Sequence, residues 1–204
     1  MSHPTIRTLA GAAAPASLDA ASTALLVIDF QNEYFNGKLP IPDGKAALGN
    51  AQRLIAHADQ ARIPVFHIQH VTPAGSPVFA DQSPTGEFHA DLQPAAHHTV
   101  VRKSSVSAFP TTDLDQQLKA AGVKTLVITG LMTHACVAGA ARDAVPLGYQ
   151  VIVAEDACAT RDLDRADGSV VEHNSLHRAA LASIDDTFGD VLTTEQVLKL
   201  PVVR

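Results

Sequence analysis

Residues 24–30 read ALLVIDF, five apolar residues closed by Asp29 and Phe30. The run lacks the apolar–polar alternation of a strand with one wet face. It reads as a strand buried on both faces, the kind found in a parallel sheet. Outward from it, KAALGNAQRLIAHADQA (45–61) places Leu48, Ala51, Leu54, Ile55 and Ala58 at helical spacing. PVFHIQHV (64–71) is a second strand, opened by a proline that owes the ladder no donor. TVVRK (99–103), KTLVITG (124–130) and YQVIVAED (149–156) are three further strands, and GDVLTT (189–194) leads a last one. TTDLDQQLKAAG (111–122), THACVAGAARDAV (133–145) and SVVEHNSLHRAALASI (169–184) are helices between them. Thr133 is expected to cap the second of these. Strands alternating with helices specify an α/β fold. The expectation is a three-layer α/β/α sandwich with a mostly parallel sheet of about six strands.

The chain has 204 residues, 46% hydrophobic and 18% charged, with a formal net charge of −6. That length fits one domain, 1–204, able to bury roughly 70% of the surface its unfolded form exposes. No Lys/Arg cluster marks a nucleic-acid partner, and no apolar run approaches the ~20 residues of a membrane span. Within MSHPTIRTLAGAAAPAS only Arg7 is positive and no strong apolar segment follows. Residues 1–20 therefore read as an N-terminal arm, on the domain or on a neighbouring subunit, rather than a signal peptide. Cys136 and Cys158 are read as free thiols in a cytoplasmic protein. The connection 72–98, with Pro73, Pro77, Pro84 and Pro94, is longer than an ordinary loop and reads as a functional covering segment. Arm and long connection together suggest a homo-oligomer, at least a dimer.

In an open α/β sheet the site lies at the carboxyl ends of the strands. Asp29 ends the first strand, Lys103 the third, and Cys136 falls in the first turn of the helix after the fourth. Each has a plainer reading: a turn cap for Asp29, a solvated strand end for Lys103, core filler among alanines for Cys136. Their convergence on one edge is the stronger signal. A thiol there meets a helix N-terminus and a cation, both favouring thiolate, so its pKa is expected below the ~8.5 of free cysteine. Cys158 reads as a buried structural thiol and His177 as a core hydrogen-bonding residue.

IDFQNEYF (28–35), VRKSSVSAF (101–109), TGLMTHACV (129–137) and AARDAVPLGYQVIVAEDACAT (140–160) resemble the isochorismatase-like cysteine hydrolases, which include nicotinamidases, N-carbamoylsarcosine amidohydrolases and ureidoacrylate amidohydrolases. The resemblance spans roughly residues 20–195. It implies Cys136 as nucleophile, Asp29 as general base and acid, and Lys103 as the charge that tunes both. It also implies a cis peptide between Leu131 and Met132, with the backbone N–H groups of Met132 and Cys136 forming an oxyanion hole. Where nicotinamidases carry an Asp-x-His metal pair, this chain has HIQH (67–70), with Gln69 in the acid's place. His67 and His70 are three apart on a strand and point to opposite faces. His89, His97 and His98 show no ligand spacing along the chain. No metal and no cofactor are expected.

The function expected is hydrolysis of a small amide, ureide or carbamoyl compound through a thioester. The alternatives are an isochorismatase-type vinyl ether hydrolase, which needs no thiol and retains a Gln like Gln69, and a non-enzymatic binding or assembly protein. The partner is a small-molecule substrate, with Phe35, Gln69, Phe109 and His134 as candidate pocket walls. His134 either faces the pocket or caps its helix.

Overall fold

In the computed structural model, which describes residues 2–204, the apolar run becomes β1 (Thr23–Ile28), and every one of its side chains is buried. Ala24, Leu26 and Ile28 enter one hydrophobic core while Leu25 and Val27 enter another. The period-two alternation of a strand thus feeds two apolar layers. β2 (Val65–His70), β3 (Thr99–Lys103), β4 (Thr125–Leu131), β5 (Gln150–Ala159) and β6 (Asp190–Leu192) complete a six-stranded sheet in the order β3-β2-β1-β4-β5-β6. All its neighbouring strands are parallel.

The core that takes Leu25 and Val27 packs against α1 (Gly44–Ala61) and α5 (Thr194–Lys199). The core that takes Ala24, Leu26 and Ile28 packs against α2 (Leu114–Ala120), α3 (Ala138–Ala144) and α4 (His173–Thr187). Helices therefore cover both faces, the three-layer α/β/α arrangement. The strand order reverses between β1 and β4, which is where ligands bind in open α/β sheets.

Several elements differ from the sequence expectation. The helix after β4 opens as a π-helical turn, Thr133–Val137, and becomes regular only from Ala138. Thr133 caps nothing; its hydroxyl pairs with His177 Nδ1 at 2.8 Å. α4 starts at His173 rather than 169, because Val170–Val171 pairs with Leu163–Asp164 in a short antiparallel ladder. α5 is an addition. Thr193 caps it and Gln196 returns a bond to the cap, a reciprocal capping box. Leu18–Asp19 pairs in parallel with Val202–Val203, so the segment leading into β1 is tied to the last residues of the sequence.

Met1 of the expected 1–20 arm lies outside the described residues. The rest of the arm lies on its own chain: Ile6 N–H bonds Asp186 and Arg7 pairs with Asp190 at 2.8 Å. The long connection is also stitched inward. Asn32 and Glu33 donate backbone bonds to Glu87 and Thr85, and Gln31 bridges Phe88. Among the described residues no helix is long and apolar enough to cross a membrane.

Candidate active site

Asp29 follows the last residue of β1 with φ of +55°, a left-handed conformation that Asp tolerates better than most residues. Its N–H still donates to Ile68 O at 2.9 Å, so the carboxylate leaves the sheet from an anchored backbone. Across from it, Gly130 pairs with Ile28. A Cβ there would meet the Ile28 carbonyl and Cβ at 2.6 Å, so β1 and β4 approach this closely only with glycine at 130. Fully buried Gln31 braces the same corner. Its amide donates to the carbonyls of His70 and Gly86 and accepts from His70 N–H.

The three residues at the strand ends converge at this switch point. Lys103 Nζ lies 2.8 Å from Asp29 Oδ2 and 3.5 Å from Cys136 Sγ. It also reaches the carbonyls of Ser105 and Val106 and Nδ1 of His70, each at 3.1 Å. An ammonium has three hydrogens, so these neighbours share them, and His70 Nδ1 must accept. That agrees with the lowered pKa of His70, depressed by burial and then by the Lys103 cation. The Lys103–Asp29 contact is an ion pair rather than a directional hydrogen bond, because neither Asp29 oxygen has a well-angled donor. Burial works to lower the Lys103 pKa, but Asp29 and Cys136 outweigh it and the net shift is upward.

Cys136 sits in the π-helical turn, a local irregularity frequent at functional sites. Its thiol does not follow the expected depression. Burial pushes it up to about 12, Asp29 adds to that, and Lys103 opposes without winning. The preceding Leu131–Met132 peptide is cis. Leu131 is buried, Met132 is half-buried, and the Met132 carbonyl accepts from Ala135 and Val137.

The pocket walls differ in part from the sequence expectation. Phe35 is half-buried against His89, with ring centroids 4.3 Å apart. Its neighbour Tyr34 faces the triad instead. Tyr34 is fully buried against Phe79, and burial followed by the Cys136 and Asp29 charges raises its pKa. Phe109 is core packing: its ring stacks on Tyr149. Gln69 donates to Gly86 O at 3.0 Å, fixing the covering segment. His134 is not a cap; its Nδ1 pairs with Thr160 Oγ1 at 2.6 Å at the end of β5. Burial, then the Arg161 cation, lowers the His134 pKa.

Sequence reasoning passed over Tyr34, weighed His70 only as a metal ligand, and passed over Arg161. The first two sit inside quoted motifs, so the signal was adjacency to Asp29 and to the end of β2. Arg161 lies two residues beyond the end of β5, near a strand end as Lys103 is. Its Nε is buried without a partner while Nη1 holds Asp162 O at 3.0 Å. The family model of the isochorismatase domain matches residues 23–196. The chain is 40% identical over 180 residues to the uncharacterised isochorismatase family protein YddQ of Bacillus subtilis strain 168, covering 87% of this chain and 99% of that one. It is 31% identical over 192 residues to maleamate amidohydrolase of Pseudomonas putida KT2440, covering 86% and 85%. The crystal structure of an isochorismatase from Pseudomonas putida KT2440 superposes with a TM-score of 0.89 at 31% identity, covering 96% of this chain and 100% of that one. The chain belongs to the isochorismatase family of hydrolases.

Proposed function

We propose that the chain hydrolyses a C–N bond in a small amide, ureide or carbamoyl compound through a covalent thioester on Cys136. The observation that carries this is one buried ammonium, Lys103, 2.8 Å from Asp29 and 3.5 Å from Cys136. With the resting thiol pushed up to about 12 by burial and by Asp29, Cys136 is neutral at pH 7 and needs a base. Asp29 takes its proton as sulfur attacks the substrate carbonyl carbon. Lys103 then balances the negative charge as it passes from carboxylate to sulfur and on to the carbonyl oxygen. The backbone N–H groups of Met132 and Cys136 are the proposed donors to that oxygen. Protonated Asp29 gives its proton to the leaving nitrogen as the C–N bond breaks. A water then loses a proton to Asp29, attacks the thioester carbon, and releases the acid and the protonated thiol.

Arg161 lies close enough to bias both Tyr34 and His134, and its buried Nε has no partner. This favours a substrate that carries a carboxylate beside the amide. The test is ammonia release across amides, ureides and carbamoyl compounds with and without a carboxylate. Turnover of at least one amide, lost in Cys136→Ala, supports the reading. Ammonia release retained in Cys136→Ala would contradict the thioester, whereas a vinyl ether cleaved equally by the wild type and Cys136→Ala, with no amide turned over, would favour the reading that needs no thiol.

A further inference from the structure

At the amino edge of the sheet, opposite Cys136, three side chains meet that share no spacing in sequence. Asp59 lies in the last turn of α1, and His97 and His98 immediately precede β3. Nε2 of His97 is 2.9 Å, and Nε2 of His98 3.0 Å, from one atom, Asp59 Oδ1. All three donor atoms lie within 4.8 Å of one another. The corner is half built into the protein. The His98 side chain is 3% exposed and rests on fully buried His67, whose Nε2 is 3.1 Å from His98 Nδ1, while His97 is 68% exposed and leaves a side open to water. Burial works to raise the Asp59 pKa, but the two histidine bonds outweigh it and hold the carboxyl low, so a carboxylate is ready at neutral pH.

We infer that Asp59, His97 and His98 bind a divalent transition metal ion of the zinc class, with water completing the coordination. This site is independent of the triad and of the activity proposed for it. Two imidazoles and one carboxylate suit zinc, cobalt or nickel; calcium and magnesium prefer oxygen ligands throughout. Each histidine must then offer a lone pair at Nε2. For His97 the proton moves to Nδ1. His98 Nδ1 accepts from Ala95 N–H at 3.1 Å, so its proton sits on Nε2 in the metal-free protein. On binding, His98 takes a proton at Nδ1 and donates it to His67 Nε2. His67 in turn carries its own proton on Nδ1, the buried atom that has no partner now. The pair holds two protons before and after, and Ala95 N–H gives way. His67 thus acts as the group that orients a metal-bound imidazole. The ion would clasp the end of α1 to the start of β3, the strand that carries Lys103.

The test uses tag-free protein, treated with chelator and dialysed, then titrated with zinc chloride near pH 7.5 by calorimetry. Cys136→Ala serves as the background, because it removes the other ligand zinc would seek. One zinc per chain is expected in the wild type and in Cys136→Ala. Adding His97→Ala or Asp59→Asn to that background should weaken binding by about tenfold or more. Both sites are open to water, so the folded state should survive, as the melting temperature without zinc will show. Zinc should raise the melting temperature of Cys136→Ala and not that of Cys136→Ala/His97→Ala, since an ion that binds only the native state stabilises it. Zinc binding that disappears with Cys136→Ala alone, or that is unchanged by His97→Ala, would overturn the inference, as would no binding at zinc concentrations up to about 1 mM.

Discussion

Cys136 and Cys158 are 6% and 4% exposed, and burial pushes each thiol to about 12. Neither accessibility nor acidity separates them. Their neighbours do. Cys158 lies inside β5, in register with Gly130, whose backbone N–H is the one contact that stabilises its thiolate. No cation attends it; Asp156 and Glu155 only raise it further. Cys136 lies beside an acid that can take its proton and an ammonium that can hold the resulting charge. On the proposed mechanism, the reactive cysteine is set by what accepts its proton during attack, rather than by how much thiolate exists at rest.

The sharpest break in that comparison is substitution. Cys136→Ala should lower kcat by about 10⁴-fold or more in an ammonia-release assay. Cys158→Ala should stay within a few-fold and lose a little stability to the small cavity it leaves. Comparable losses in both variants would erase the distinction.

Asp29→Asn should separate reactivity from turnover. Its anion raises the Cys136 thiol, so removing it should let iodoacetamide label Cys136 faster at neutral pH. Turnover should nevertheless fall by about 10²- to 10⁴-fold, because nothing then relays the proton. Cys158 labelling should not change. Slower labelling of Cys136 in this variant would contradict the electrostatic account.

The buried and exposed ion pairs should differ in the same way. Lys103→Ala leaves Asp29 charged and buried without a counterion, at an expected cost of about 3–5 kcal/mol in denaturant unfolding. Lys119→Ala removes an exposed partner 2.8 Å from Asp115 and should cost under about 1 kcal/mol.

β1, β4 and β5 were legible in the sequence because both faces of each are largely buried, whereas Lys103 ends the half-exposed β3. Continuous apolar runs therefore marked where the carboxyl ends fall. Tyr34 was not legible, because Tyr34 ends the 3₁₀ turn Asn32–Tyr34 and a second aromatic, Phe35, follows it as the cap. The phase of that turn decides which one enters. The Cys136 pKa was misread because two favourable charges are visible in a sequence and the depth of burial that defeats them is not. Asp59 and His97 are separated by 38 positions and met only when α1 packed. The α5 capping box was readable in TTEQ (193–196), a Thr followed three residues later by Gln.

The smallest effect expected is on stability against pH. An unfolded thiol ionises near 9, whereas both folded thiols hold their protons until about 12. Their contribution is fully present below about 9 and is lost as pH rises from there towards 12. The melting temperature should decline between pH 8 and 10.5, and Cys136→Ala/Cys158→Ala should flatten the decline. An unchanged slope would mean the thiols are not held protonated.

The most direct measurement is to catch the acyl group. A hydrolysed amide from the screen is mixed with the wild-type enzyme, quenched in acid during turnover, digested with trypsin and mapped by mass spectrometry. Cleavage after Lys124, Arg142 and Arg161 puts Cys136 in peptide 125–142 and Cys158 in peptide 143–161. The account expects the acyl mass on 125–142, lost after hydroxylamine treatment as a thioester is, with 143–161 unmodified. Acylation of 143–161, or full turnover with neither peptide ever modified, would contradict it.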